Sequence, residues 1–147
     1  MTASNRLTRL LATVPARLVD LSDEDAGKRP EPGRWSKKEI LGHLIDSAAN
    51  NHQRVVRAQL VPALEFPSYE QEAWVEVQSY GSEPWPDLVN LWLLLNRHLL
   101  HVMKAIPPDR LSRSCVIGSG EPKPLSAVMD GYLEHLEHHL NQLLSVP

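Results

Sequence analysis

A single cysteine, Cys115, occurs in 147 residues. That excludes an intrachain disulfide framework and a thiolate metal cluster, and it fits a reducing compartment. No run of Lys and Arg reaches four, and the formal charge is −3 with a pI near 6.1. A phosphate backbone is therefore not an expected partner. The apolar segments are interrupted and none reaches the ~20 residues that a spanning helix needs. The opening Met-Thr-Ala-Ser-Asn-Arg carries no unbroken apolar stretch of the signal-peptide kind. Internal repeats, low-complexity tracts and strand-like alternation are also scarce. Together these absences predict one cytoplasmic, soluble domain over residues 1–147, with neither membrane nor nucleic acid as partner, long enough to bury a core without staples.

Helical periodicity dominates what is present. Leu7, Leu10, Leu11, Val14, Leu18 and Leu21 repeat at helical spacing over residues 3–21, with Pro15 predicting a kink or two short pieces. Ser22 to Gly33 reads as a charged connector. Ser36 and Glu39 form a capping-box pattern that starts a second helix running to about Leu60, with Leu41, Leu44, Ile45, Ala48 and Val55 as its buried face. Residues 61–86 hold four prolines and several aromatics, and read as a long structured connection with one short helix near Tyr69 to Val77. Leu88 to Ile106 is the most apolar segment and Pro107-Pro108 ends it. Ser114 to Ile117 reads as a brief strand, and a last helix spans Leu125 to Leu144. Four long amphipathic segments predict an all-α, up-down four-helix bundle with a long structured loop between the second and third helices.

The last helix carries the chemistry. His135 and His139 lie four residues apart, one turn above each other at the edge of an apolar stripe formed by Leu125, Met129, Leu133, Leu136, Leu140 and Leu143. Two imidazoles so placed can share a cation, given a third ligand from elsewhere. His43 is the candidate, but periodicity puts it nearly opposite the second helix's apolar stripe, beside Ser47, Asn50 and Arg54. On spacing alone, that side of the helix is a solvated polar face. His98 and His101 are three apart on the third helix and suit a rim; His52 falls within an apolar stripe and suits a satisfied core position. His138 points away from its neighbours. Trp35 and Trp74 read as packing anchors, with Trp74 in the connection suspected of covering the site. Cys115 has no evident activating neighbour and reads as inert.

Three stretches together resemble a known family: Pro32-Gly-Arg-Trp-Ser36, Glu39-Ile-Leu-Gly-His-Leu-Ile-Asp46, and His135-Leu-Glu-His-His139 followed by Gln142. They are similar to the DinB-like superfamily of metal-binding four-helix bundles, and within it to the YfiT type, which includes bacillithiol transferases. Phe66 to Trp74 and Leu95-Asn-Arg97 share that resemblance, which runs from about residue 7 to 143. It implies a divalent metal ion held by His43, His135 and His139. Zinc suits three nitrogen ligands, and nickel, cobalt and copper also accept imidazole.

The activity implied is transfer of a low-molecular-weight thiol to an electrophile through a metal-bound thiolate. Metal-dependent hydrolysis with bound hydroxide is the alternative, and a non-catalytic metal-binding or stress-response bundle is a third. Asp46, Asn50 and Arg54 are candidate pocket residues: Asp46 to orient an imidazole or act as a base, Arg54 to meet an acidic substrate. A homodimer is the implied assembly.

Overall fold

The computed structural model describes residues 1–145. Helix α1 spans Ala3–Val19, and the Thr2 side chain accepts from the Asn5 N–H to cap it. The expected break at Pro15 does not occur, because one helix runs through it. Pro15 forfeits one main-chain bond, but the core position of Val14 and Leu18 on either side keeps the turn in place. The connector after it contains helix α2, Asp23–Gly27, capped by Ser22 and begun by Asp23, Glu24 and Asp25, a charge order that suits the helix dipole.

Helix α3 spans Lys37–Ala58 and starts with the expected capping box: the Ser36 hydroxyl accepts from Glu39 N–H, and the Glu39 carboxylate accepts from Ser36 N–H. The connection after α3 holds strand β1 (Ala63–Phe66), helix α4 (Gln71–Gln78) and a single 3₁₀ turn at Tyr80–Ser82. Helix α5 spans Trp85–Lys104. Strand β2 (Ser114–Ile117) falls on the expected segment, pairs in parallel with β1, and takes β3 (Lys123–Pro124) antiparallel on its other edge. Helix α6, Leu125–Leu144, has the expected bounds. No helix among the described residues is long and apolar enough to cross a membrane.

The four long helices α1, α3, α5 and α6 form the bundle around one core. Helix α3 packs on α5 and α6, and so does α1, which leaves α1 diagonal to α3 and α5 diagonal to α6. Buried Trp85, at the start of α5, donates its indole N–H to the Leu18 carbonyl at the end of α1. Asp23 joins the same end, accepting from the Trp85 N–H and pairing with Lys38 at the start of α3. At the far end Arg113, beyond α5, donates to the Gln59 and Val61 carbonyls just past α3. Helices α3 and α5 therefore run parallel. The chain alternates from α1 to α3 and from α5 to α6, and the long connection between α3 and α5 resets the direction by carrying it back along the bundle.

That return path buries the polar side of α3. Tyr80 lies against α3 at Gly42, where a Cβ would stand 2.1 Å from the tyrosine ring, so only glycine admits this approach. His43, Asp46, Ser47, Asn50 and Asn51 are all buried. The expectation of a solvated polar face is corrected. Helix α3 is covered on that side by α6 and by Gln78 to Tyr80, partners that its own periodicity does not reveal.

Candidate metal centre

Three of the seven histidines converge between α3 and α6. His43, in the second turn of α3 and 1% exposed, meets His135 and His139 from α6, and one ring nitrogen of each lies within 4.8 Å of the others. The Nε2 atoms of His43 and His135 stand 2.9 Å apart. The rings meet edge to face, with centroids 4.6–4.8 Å apart. Trp35, just before α3, packs its indole against His43, with ring centroids 5.0 Å apart.

Surroundings orient these rings and hold those of His43 and His135 neutral. Burial, then the neighbouring His135 and His139, lowers the His43 pKa to about 3; burial, then His139 and His138, lowers that of His135 to about 4. At neutral pH their lone pairs are free of protons, as a metal ligand requires. His139 Nδ1 pairs with Gln142 Oε1 at 2.9 Å, a contact that orients the ring. Ser47 Oγ lies 3.4 Å from His135 Nδ1. The bundle is further tied there by Arg6 on α1, whose guanidinium grips Glu137 through two bonds of 3.0 and 2.6 Å. Three imidazoles, two with their outer nitrogens beside oxygens, are a donor set that fits a divalent ion.

The remaining candidates take different places. Asp46 is 2% exposed and accepts from Tyr80 at 2.6 Å and Gln78 at 2.7 Å through Oδ1, so it holds the returning connection rather than an imidazole. Burial raises its pKa, against those two bonds. Asn50 donates to the Asp46 carbonyl one turn back on its own helix. Arg54 lies over the Phe66 ring at 5.5 Å and lines a pocket of about 330 Å³ with Ser47, Asn51, Tyr69, Lys123, Tyr132 and His135.

A larger cavity of about 700 Å³ lies beyond Trp35, but none of the three histidines lines it and Glu39, Glu72 and Glu76 do. The smaller pocket reaches the cluster at His135. His52 is half-buried against His98 at 5.1 Å, rather than a core residue, and His98, His101 and His138 are exposed. Trp74 is 38% exposed and packs at a tilt against Tyr69. Cys115 is buried in β2, where burial raises its thiol pKa.

Sequence reasoning passed over Asn51, Lys123, Tyr80 and Tyr132. Asn51 was within reach, since it lies one turn after Ser47 on the same helix face. So was Tyr132, three residues before His135 on α6, whereas Lys123 and Tyr80 come from distant segments with no local signal.

Helical bundles with histidines converging from facing helices make up a class of metal-site proteins. The family comparison specifies it: residues 6–143 match the DinB superfamily, and the chain belongs to it. Two relatives provisionally named metal-dependent hydrolases are similar at low identity. One, from Oceanobacillus iheyensis, is 23% identical over 120 residues, covering 82% of this chain and 69% of that protein. The other, from Halalkalibacterium halodurans, is 24% identical over 136 residues, covering 88% and 78%.

Among solved structures, YfiT from Bacillus subtilis, described as a probable metal-dependent hydrolase with an unusual four-helix bundle topology, superposes with a TM-score of 0.79. It is 19% identical and the match covers 95% of this chain and 83% of YfiT. A mycothiol-dependent maleylpyruvate isomerase superposes at 0.78 with 17% identity; the match covers 99% of this chain but only 62% of the isomerase.

Proposed function

We propose that this chain is a divalent-metal-dependent enzyme that joins a small thiol to an electrophile, with His43, His135 and His139 holding the ion. The observation that carries the reading is the meeting of three buried or half-buried imidazoles beside a pocket that borders one of them. When bound, such an ion supplies Lewis acidity, drawing down the pKa of a thiol or water so that a nucleophile exists at neutral pH.

The chain's own residues do the rest. Gln142 and Ser47 fix the His139 and His135 rings, and Trp35 packs against the His43 ring. Asp46 acts at one remove: by tying Tyr80 and Gln78 to α3 it holds the cover over the histidines. Asn50 fixes the turn that carries Asp46. Arg54 and Tyr69 face the substrate from the pocket wall. The thiol dependence of the structurally similar isomerase supports transfer. The hydrolase names of the sequence relatives favour a second reading, water as nucleophile in the same site.

Zinc-loaded protein mixed with a thiol and 1-chloro-2,4-dinitrobenzene separates the readings. Thiol consumption above background, lost in His135→Ala, supports transfer. Release of nitrophenol from an activated ester without thiol, lost in the same variant, supports hydrolysis. Zinc-loaded protein inert toward both across a broad panel of electrophiles and esters would overturn the enzymatic reading.

A further inference from the structure

We propose that the pocket beside the three histidines takes a small molecule bearing a carboxylate, with the Arg54 guanidinium as its anchor and Lys123 as a second cation. The proposal rests on the site reading above and adds to it the class of substrate. Its first support is that Arg54 forms no hydrogen bond or ion pair among the described residues, and its Nε is buried without a partner. Arg6, Arg29 and Arg34, in contrast, each hold a carboxylate. A donor buried without a partner is expensive, and a ligand that satisfies it recovers that loss.

The second support is the charge of the wall. Arg54 and Lys123 line the pocket, no Asp or Glu does, and this in a chain of net charge −3. Burial is the main influence on Arg54 and lowers its pKa; only Tyr69, not a carboxylate, opposes it. The Phe66 ring centroid lies 5.5 Å from the guanidinium carbon, a cation–π contact that uses none of its N–H donors. Those donors present a fork that matches the two oxygens of a carboxylate.

Position gives the length of the ligand. Ser47, beside His135, and Arg54 are seven residues apart on α3, about 10 Å along the axis. Ser47, Asn51 and Arg54 line the same pocket along that length of α3. A ligand with its reactive group at the histidines and its carboxylate several bonds away spans that gap.

The test is calorimetric titration of zinc-loaded and metal-free protein with 6-mercaptohexanoate, its neutral counterpart 6-mercaptohexanol, and glutarate. Zinc-loaded wild type is expected to bind the acid about tenfold more tightly than the alcohol, a gap that Arg54→Met closes and Arg54→Lys narrows. Lys123→Ala is expected to weaken the acid a few-fold. Glutarate should bind metal-free wild type and not metal-free Arg54→Met. Circular dichroism checks that Arg54→Met folds; if it does not, Arg54→Lys and Lys123→Ala decide.

Equal binding of the two thiols, unchanged by every Arg54 and Lys123 variant, would overturn the anchor while leaving the metal reading intact. Arg54-dependent glutarate binding by protein that takes up no zinc would uphold the anchor and sink the metal reading. Inorganic phosphate displacing glutarate at equal concentration would overturn the assignment of the carboxylate.

Discussion

His43, His135 and His139 lie between α3 and α6, while His52, His98 and His101 lie between α3 and α5. Each trio takes one histidine from α3 and a pair, one turn apart, from a neighbouring helix. In the first, a ring nitrogen of every member falls within 4.8 Å of the others; among the described residues no other group of histidine, cysteine or carboxylate ligands does so. In the second, His98 and His101 are exposed and their rings stand 6.4 Å apart, nearly parallel. Residue type is alike and spacing nearly so, four residues in the first pair and three in the second. What differs is enclosure by α6 and the returning connection, and oxygens fixed behind two of the three rings.

The largest expected contrast is in metal binding. Zinc at a hundredfold excess over its dissociation constant should stabilise wild type by about 2.7 kcal/mol, seen as a raised melting temperature. His135→Ala and His139→Ala should abolish that shift, and His98→Ala should retain it.

Acid should divide the trios next. In metal-free protein the folded-state pKa values of His43 and His135 fall from 6.5 to about 3 and about 4. The unfolded chain therefore takes up protons that the folded chain refuses. The stability at stake is whole above pH ~6.5 and lost as pH falls toward 4, by up to about 1.4 kcal/mol per pH unit for each histidine. Urea unfolding between pH 7 and 4 should show that slope, and His43→Gln should flatten it.

Gly42→Ala attacks the enclosure itself. The new methyl would meet the Tyr80 ring, so a loss of about 1–3 kcal/mol in chemical denaturation is expected, with weakened zinc uptake as Tyr80 moves off α3. The smallest effect belongs to the open trio: His98→Ala and His101→Ala should each shift stability by no more than about 0.5 kcal/mol.

The contrast also marks how far the sequence could be read. The capping box at Ser36 and Glu39, strand Ser114–Ile117 and the closing helix Leu125–Leu144 are local patterns, and each stands where the residues place it. The meeting of His135 with His139 follows from helical spacing alone. His43 does not follow. A helix period separates an apolar face from a polar one, but cannot say that the polar face is buried too.

That burial depends on Tyr80 and Gln78, more than thirty residues away, and on Gly42 being small enough to let Tyr80 in. The family resemblance, rather than periodicity, singled out His43. The parallel run of α3 and α5 is likewise set by contacts at their ends, Asp23 with Lys38 and Trp85, and Arg113 with Gln59, that no single segment encodes.

The most direct test is the metal content of untagged protein, loaded with zinc, washed free of excess and measured by plasma mass spectrometry beside His43→Ala and His98→Ala. One equivalent in wild type and His98→Ala, with none in His43→Ala, is the predicted result. A wild-type protein that stays empty, or a His43→Ala variant that keeps its equivalent, would contradict the assignment of the buried trio as the metal site.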